Sequence, residues 1–255
     1  MRTVHRAHHF SIPFENLDIH LGRSYSFSTR HLVQKMVARQ RGGFCYELNL
    51  LLAAALRGLG FEVDVMEGQM RRREGGFGPP FDHMTLRVAL EDRDWIADVG
   101  NGETFQQPLP WDGSWTPQER GGAYRVVRRE DGEPAAEGRA ASAEAWQVEY
   151  RESEGAEREV VYHFRSATTT ADGFLPMLAF HTTSAKSQFT KGWIVTRPLE
   201  GGGRITAARG LLMTTREGKM ERHAIGSASE LERILAEDFR MLPVAVPPSW
   251  FSRGG

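Results

Sequence analysis

The sequence predicts an α+β protein, because three stretches of different character follow one another along its 255 residues. In residues 1 to 60 the apolar residues recur at helical spacing, and in residues 61 to 165 they alternate with polar ones as they do in strands. Residues 166–255 mix both patterns. We therefore expect a helical domain over 1–60, a strand-rich domain over 61–165 and a mixed domain over 166–255.

Two helices are predicted in the first stretch. Ser28 with Thr29 can cap the first helix, and Gly42-Gly43 is expected to end it. Its apolar positions are Leu32, Val33, Met36 and Val37. The apolar positions of the second helix are Leu48, Leu51, Leu52, Ala55, Leu56 and Leu59. This density of apolar residues is typical of a buried central helix.

Alternation of apolar and polar residues predicts the strands. They are expected at 61–65, 84–90, 95–99, 124–127, 146–150 and 160–164, with a turn at 91–94 and a flexible loop at 129–145. In the last stretch, strands are predicted at 193–196 and 210–214 around a turn at 201–203. Ser229 and Glu232 then fit a capping box that begins a helix.

The composition excludes several classes of protein. The formal net charge is −1, so no bulk attraction to nucleic acid or to an anionic membrane is expected. No apolar run approaches the roughly 20 residues that span a bilayer, and the first residues lack the pattern of a secretory signal. The single cysteine cannot form an intrachain disulfide, which together with these features indicates a cytoplasmic protein.

Cys45 is the candidate nucleophile, because it lies between Gly42-Gly43 and the start of the second helix. The free N–H groups and the dipole at a helix start favour negative charge, so a lowered pKa of the thiol is expected. Nearby glycines allow close approach of an acyl group, and backbone N–H groups can hold an oxyanion. The competing interpretation is a buried, inert thiol, which is the commoner state of a lone cysteine.

A nucleophilic cysteine needs a base and a group that orients the base. Nine histidines are present, and spacing alone does not select one. His83 begins the strand at 84–90, and Asp98 lies in the next strand. An even-numbered turn puts both on one sheet face, although the offset along the strands stays open. Because a buried carboxylate without a partner is costly, a role for Asp98 is favoured over a plain strand position.

Four motifs occur in order along the chain. They are Ile12-Pro-Phe-Glu-Asn-Leu-Asp18, Arg41-Gly-Gly-Phe-Cys-Tyr-Glu-Leu-Asn49, Asp82-His83-Met84 ahead of an apolar strand, and Ile96-Ala-Asp-Val-Gly100. Together they resemble the arylamine N-acetyltransferase family, including its N-hydroxyarylamine O-acetyltransferases. The resemblance implies a catalytic triad of Cys45, His83 and Asp98. It also implies a helical domain, a β-barrel domain and an α/β lid around a core like that of the cysteine proteases.

The same resemblance implies the chemistry. Acetyl-CoA would donate an acetyl group to the cysteine in a ping-pong reaction without a metal, and an arylamine, arylhydrazine or N-hydroxyarylamine would accept it. Phe14 and Phe189 are suggested as aromatic walls of the substrate pocket, although both also fit plain core positions. Neither nucleic acid nor a membrane is an expected partner, and a homodimer is left open.

Some positions depart from the family pattern. Asp82 stands beside the proposed base where a small hydroxyl residue is common. Asn101 stands where an aromatic residue is usual, which predicts a more polar acceptor pocket. The family usually has another helix before residues 4–8, so a shorter helical domain is expected.

Other candidate sites are weaker. His5, His8 and His9 are close in sequence, but no further metal ligand is evident nearby, so no metal site is predicted. Residues 71–73 are three arginines that fit a solvated loop better than a site for CoA phosphates. Glu15 and Arg41 are expected to pair and to brace the helix that carries the cysteine.

Three alternative functions stay open at this stage. Amide synthases that close large lactam rings on a carrier-bound polyketide share this architecture and triad. Cysteine peptidases and transglutaminase-like enzymes also combine Cys, His and Asp. A non-catalytic module would bind CoA or an aryl ligand without turnover. Acetyl-CoA hydrolysis that an added arylamine accelerates would argue against the amide synthase. A covalent acetyl group on Cys45 would argue against the hydrolases, and a reactive thiol against the binding module.

Overall fold

The structure is a computed structural model that describes residues 1–90, 93–102, 105–119, 121–129, 144–216 and 218–251. Its helices are α1 (Arg2–Ser11), α2 (Leu17–His20), α3 (Thr29–Leu32) with a π-helical continuation (Val33–Ala38), α4 (Cys45–Gly58), α5 (Leu175–Thr183) and α6 (Ala228–Glu237), with 3-10 turns at Ala171–Phe174 and Pro248–Trp250. Its strands are β1 (Phe14–Glu15), β2 (Glu62–Met70), β3 (His83–Leu90), β4 (Arg93–Ala97), β5 (Leu109–Pro110), β6 (Thr116–Pro117), β7 (Ala123–Arg128), β8 (Ala145–Arg151), β9 (Glu159–Thr169), β10 (Ile194–Pro198), β11 (Arg204–Ala208), β12 (Leu211–Arg216) and β13 (Lys219–Ala224). The predicted mixture of helices and strands is confirmed.

The larger sheet is a nearly closed barrel. Its eight strands run in the order β5-β4-β3-β2-β9-β8-β7-β6, and every neighbouring pair is antiparallel. The two ends of the sheet approach each other, because the side chain of Gln107, ahead of β5, donates a hydrogen bond of 3.0 Å to the carbonyl of Pro117 in β6. The interior is filled by Met66, Ile96, Phe105, Leu109, Tyr124, Val126, Val148, Tyr162 and Phe164.

The smaller sheet joins the two ends of the chain. Its order is β1-β10-β11-β12-β13, again antiparallel, and Phe14 in β1 lies opposite Thr196 in β10. Helix α6 packs on this sheet through Leu231, Ile234 and Leu235, whose i, i+3, i+4 spacing forms one apolar face. The motif around Phe14 is thus held by a strand nearly two hundred residues away.

Helix α4 is the central element of the main core. Its leucines Leu48, Leu52 and Leu56 are fully buried, and they share one apolar cluster with Val65 of β2 and Leu86 of β3. Burying one leucine contributes about 2 kcal/mol, so this face alone fixes α4 firmly against the barrel. The first turn of α4 is therefore a rigid position for a reactive side chain.

The first predicted helix is correct in place but not in its end. Ser28 accepts a hydrogen bond from the N–H of His31 and so caps α3 as expected. The helix ends at Ala38 rather than at Gly42-Gly43.

Gly42 and Gly43 instead permit close packing, because a Cβ on Gly42 would collide with the carbonyl oxygen of Pro13. The predicted apolar positions Val33 and Val37 are exposed.

Three local predictions in the last stretch need correction. Helix α6 is capped by Ser227, whose Oγ accepts from the N–H of Glu230, so the predicted box at Ser229 and Glu232 was wrong by two residues. The glycine turn at 201–203 joins β10 to β11, a strand that was not predicted, and β13 was missed as well. Because β13 is exposed along its whole length, it has no alternating pattern to detect.

Two predicted connections fall partly outside the described residues. Of the loop expected at 129–145, positions 130–143 lie outside them, and Ala145 already begins β8. Of the turn expected at 91–94, the first two positions lie outside them, and Arg93 and Asp94 belong to β4.

Candidate active site

Cys45 is the first residue of α4 and is 5% exposed. The helix starts here because the side chain of Glu47 accepts a hydrogen bond of 2.9 Å from the N–H of Phe44, which satisfies one of the free donors at the helix start. The thiol therefore lies at the positive end of the α4 dipole. The structure thus confirms the predicted position of Cys45 at a helix start.

A buried network of five charged residues holds this helix start. Arg41 pairs with Glu15 at 2.5 Å and with Asp18 at 2.8 Å. Lys35 pairs with Asp18 at 2.7 Å and with Glu47 at 2.8 Å. Burial alone would raise the pKa of Asp18, but the charges of Lys35 and Arg41 outweigh it and lower that pKa. The predicted pair of Glu15 and Arg41 is confirmed, and it belongs to a chain of ion pairs that reaches the first turn of α4.

His83 and Asp98 meet at one end of the barrel. His83 Nε2 lies 2.6 Å from Asp98 Oδ2, and both side chains are buried. Leu86 pairs with Ala97 in the register of β3 and β4, so one residue further Thr85 lies opposite Asp98. His83 lies two residues before Thr85 on β3, so its side chain is on the same sheet face as that of Asp98, as the sequence predicts. The offset between His83 and Asp98, which the sequence leaves open, is that of a diagonal cross-strand pair.

Asp98 is fixed by several hydrogen bonds besides that to His83. The side chain of Asn49 donates to Asp98 Oδ1 at 2.9 Å, and the N–H of Gly100 donates to the same oxygen at 2.8 Å. His5 Nε2 lies 3.1 Å from the Asp98 carbonyl. Burial alone would raise the pKa of Asp98, but His83 and these donors lower it below its usual value. Asp98 is therefore ionised and oriented.

The segment after Asp98 packs directly against Cys45. A Cβ on Gly100 would come within 2.9 Å of the carbonyl oxygen and 3.2 Å of the Cα of Cys45. Asn49, one turn after Cys45 on α4, donates to Asp98 and accepts from the N–H of Val99 at 2.9 Å. The backbone that carries the acid and the helix that carries the thiol are thus in contact.

The expected lowering of the Cys45 pKa is not what the structure shows. Burial raises the pKa of the thiol well above its usual value, and the carboxylate of Asp82 raises it further. The N–H of Tyr46 acts in the predicted direction but does not outweigh these two effects. The thiol of Cys45 is therefore protonated near pH 7.

Three residues that contact the site were not predicted in these roles. Asn49 belongs to the motif of Cys45, and its position four residues later is a signal that was available in the sequence. Tyr162 of β9 lies with its ring 5.3 Å from that of His83 and its hydroxyl 3.1 Å from Thr85 Oγ1, and no local pattern marks it. His5 was considered only as a metal ligand, whereas it contacts the backbone of Asp98.

Phe14 and Phe189 meet beside the start of α4. Their ring centroids are 6.2 Å apart, and each also contacts Phe44, at 5.8 Å and 4.6 Å respectively. The carbonyl of Phe189 accepts a hydrogen bond of 2.9 Å from the side chain of Asn16. The structure thus brings both aromatic residues to the residue that precedes Cys45.

The remaining candidates are placed as follows. Arginines 71–73 are exposed in the connection between β2 and β3, and Arg71 lies 3.5 Å from Glu159. Within the described ranges, no cluster of three or more His, Cys, Asp or Glu side chains is arranged to hold a metal ion. In the same part of the chain, no helix combines the length and the apolar character that crossing a membrane requires.

Comparisons with known proteins agree with the motifs. A family model described as N-acetyltransferase matches residues 1–245. The arylamine N-acetyltransferase / N-hydroxyarylamine O-acetyltransferase of Salmonella typhimurium is 40% identical over 129 residues, which are 50% of this chain and 46% of that protein. The match therefore spans about half the length of this curated relative.

Two solved structures share the fold. The arylamine N-acetyltransferase of Salmonella typhimurium superposes with a TM-score of 0.83 at 26% identity, covering 99% of this chain and 89% of that one. The Mycobacterium marinum arylamine N-acetyltransferase in complex with CoA has a TM-score of 0.79 at 24% identity, covering 94% and 85%. At the latter identity the likeness concerns the fold alone.

A cysteine at the start of a helix whose Asn49 binds the carboxylate of a buried histidine–carboxylate pair, beside a nearly closed barrel, fits the class of proteins with a cysteine–histidine–carboxylate site. Within that class the assignment follows from the family match along residues 1–245. The chain belongs to the arylamine N-acetyltransferase family.

Proposed function

We propose that this chain transfers an acetyl group from acetyl-CoA to arylamines, arylhydrazines or N-hydroxyarylamines through an acetylated Cys45. The observation that carries the proposal is the buried pair of His83 and Asp98, 2.6 Å apart, whose carboxylate accepts a hydrogen bond from Asn49 of the helix that begins with Cys45. CoA is proposed as the carrier of the acetyl group because the chain belongs to this family, a member of which, from Mycobacterium marinum, is solved in complex with CoA. The proposal includes a cytoplasmic location and the three-domain division at residues 60 and 165.

The histidine tautomer follows from its partner. Asp98 is ionised and can only accept, so His83 Nε2 carries the proton that is shared with Asp98. This leaves Nδ1 of His83 with a lone pair, and Nδ1 is the atom that takes the proton of Cys45. Because the raised pKa of the thiol opposes a free thiolate, the thiolate forms as an ion pair with the imidazolium, which Asp98 stabilises.

The first half-reaction loads the cysteine. The sulfur of Cys45 attacks the thioester carbon of acetyl-CoA, a C–S bond forms, and the C–S bond to CoA breaks. The departing CoA sulfur takes the proton from His83. The N–H of Tyr46, which acts to lower the pKa of Cys45, is the proposed donor to the developing oxyanion at the helix start.

The second half-reaction unloads it. The nitrogen of the acceptor, or the oxygen of an N-hydroxyarylamine, attacks the acetyl carbon, and its proton passes to His83 while the thiolate of Cys45 leaves. Phe14 and Phe189 are proposed to wall the position of the aromatic ring, because both contact Phe44 next to the nucleophile. Aromatic walls favour planar acceptors through stacking and edge contacts.

Intact mass spectrometry after incubation with acetyl-CoA tests this function. One acetyl group is expected on the wild-type chain and none on Cys45→Ala, since Cys45 is the only cysteine. His83→Gln should slow loading by about 10⁴-fold, whereas His223→Gln, at an exposed position of β13, should not change it. An arylamine should then discharge the adduct. A wild-type chain that takes no acetyl group, or an adduct on Cys45→Ala, would contradict the proposal.

A further inference from the structure

Asp82 places a second carboxylate near the helix start that bears Cys45. The hydroxyl of Tyr46 donates to the Asp82 carbonyl at 3.4 Å, and Asp82 Oδ1 lies 3.6 Å from His181, whose ring contacts those of Phe44 and Tyr46. Its side chain is 17% exposed, and its charge acts on the Cys45 thiol more strongly than that of Asp98 or Glu47. It also acts on the hydroxyl of Tyr46, the residue after the nucleophile. The mechanism described above does not use this carboxylate, although it immediately precedes the base His83.

The backbone that carries Asp82 is held in a costly conformation. Phe81 has a φ of 64°, which is an outlier for a bulky residue. Its N–H donates to Glu67 Oε2 at 3.0 Å, and its carbonyl accepts from the hydroxyl of Tyr46 at 2.7 Å. Such strain persists where the surrounding contacts fix one arrangement, and here they fix the position of Asp82.

His181 of α5 faces the same carboxylate. Its side chain is almost fully buried among the rings of Phe44, Tyr46 and Phe189, and its Nε2 lies 3.6 Å from Asp82 Oδ1. Within the described residues, neither ring nitrogen has a hydrogen-bond partner. Burial lowers the pKa of His181, although Asp82 opposes this effect, so the ring is neutral at pH 7. Burial raises the pKa of the Asp82 carboxyl, and the neighbouring His181 and His83 oppose that rise.

We propose that Asp82, with His181 beside it, makes the approach to Cys45 selective by charge, so that the site accepts neutral or cationic aromatic amines and hydrazines and rejects acceptors that carry a carboxylate. The identity of the acceptors rests on the proposed function, whereas the effect of the Asp82 charge on the sulfur of Cys45 does not. An anion that approaches Cys45 meets a like charge in a region of low dielectric, where a short separation gives a large repulsion. The unpartnered nitrogens of His181 leave hydrogen-bonding capacity for a neutral or cationic nitrogen.

Alkylation of Cys45 tests the field without any need for acetyl transfer. Iodoacetamide and iodoacetate have nearly the same size and differ in charge. With either reagent the sulfur forms a bond to the methylene carbon, iodide leaves, and the thiol proton goes to solvent. The quantity compared is the rate constant for iodoacetamide divided by that for iodoacetate, relative to the same ratio for free cysteine. Because both reagents attack the same thiolate, a change in the thiolate fraction of Cys45 does not alter this ratio. Intact mass reads each rate, because the chain has one cysteine.

The wild-type chain should favour iodoacetamide by at least about tenfold over the free cysteine reference, and Asp82→Asn should lower that preference about tenfold. Asp82→Ser removes the same charge with a smaller side chain and should act alike. His181→Gln retains the carboxylate and should keep the preference. The matched control is Asp64→Asn, a carboxylate on β2 that pairs with Arg87 at 3.1 Å, and it should leave the ratio unchanged.

The same variants then test the acceptors. On the acetylated chain, 4-aminobenzamide should discharge Cys45 faster than 4-aminobenzoate, and Asp82→Asn should narrow this difference about tenfold. If Cys45 never takes an acetyl group, the proposed function fails while the alkylation ratio still decides the role of Asp82. An unchanged alkylation ratio in both Asp82 variants overturns the proposal. So does a Cys45 that reacts with neither reagent, because no approach past Asp82 would then exist.

Discussion

The side chain of Asn49 lies one helical turn after Cys45 and donates a hydrogen bond of 2.9 Å to Asp98. Its Nδ2 also contacts the carbonyl of Met84 in β3, and its Oδ1 accepts from the N–H of Val99. One amide thus ties the helix of Cys45 to the strand of His83 and to the segment of Asp98 and Val99. In the proposed mechanism, Asn49 acts as a positioning residue.

Asn49→Ala should therefore slow acetyl loading of Cys45 by about 10²-fold, because a small misplacement of reacting groups costs that much. It should also destabilise the chain by about 1–3 kcal/mol, since it leaves the Val99 N–H buried without a partner. Stopped-flow measurement of CoA release and urea unfolding check the two effects. Normal loading in a folded variant would show that the amide is not needed for positioning.

The buried network of charged residues at the start of α4 should contribute strongly to the stability of the fold. Lys35→Met removes the cation that lies between Asp18 and Glu47, and it leaves both carboxylates with too little counter-charge in a buried position. We expect a loss of about 3–5 kcal/mol in the free energy of unfolding. Arg233→Met, in the exposed pair with Glu237, is the matched control and should cost less than about 1 kcal/mol. Equal losses in urea titrations would mean that burial of the network is unimportant.

Acid should destabilise the fold through the histidines of α1. Burial lowers the pKa of His5 to about 4. Burial also lowers the pKa of His8 to about 3, and the charge of His5 adds to the lowering at His8. Below pH 6.5 the unfolded chain takes up these protons while the folded chain does not, so stability falls with pH until about pH 4 and 3 respectively. In this pH range each histidine adds about 1.4 kcal/mol per pH unit to the slope of the free energy of unfolding against pH.

His8→Met removes one of these groups and should flatten the slope by about that amount between pH 6 and pH 4. His223→Met, at an exposed position of β13, controls for the loss of one imidazole. Unfolding in urea at several pH values measures both slopes. A slope that His8→Met leaves unchanged would mean that His8 is protonated in the folded chain.

The parts of the site that the sequence could predict are those with a local signal. Leucine spacing predicts α4, and strand parity puts His83 and Asp98 on one face, because both follow from a fixed periodicity. The partners Tyr162 and His181 come from β9 and α5, and no periodicity relates them to Cys45. The direction of the Cys45 pKa was also beyond local reasoning, since burial and Asp82 depend on how distant elements pack.

The contact between Gly100 and Cys45 gives the sharpest test of packing at the site. A Cβ on Gly100 would lie 2.6 Å from the side chain of Asn49 and 2.9 Å from the carbonyl oxygen of Cys45. Because the second neighbour is helix backbone, it cannot move without shifting the start of α4. Gly100→Ala should therefore lower stability by about 1–3 kcal/mol and slow acetyl loading of Cys45.

Gly58→Ala provides the control with the same added methyl group at the other end of α4. Nothing lies within 4 Å of its Cβ position, and its backbone is helical, so this change should stabilise the chain by about 0.5–1 kcal/mol. Thermal unfolding and the loading rate are compared for both variants. The two stability changes should have opposite signs, because only the methyl group on Gly100 meets backbone. A Gly100→Ala chain that is as stable and loads as fast as Gly58→Ala would refute the close contact between Gly100 and Cys45.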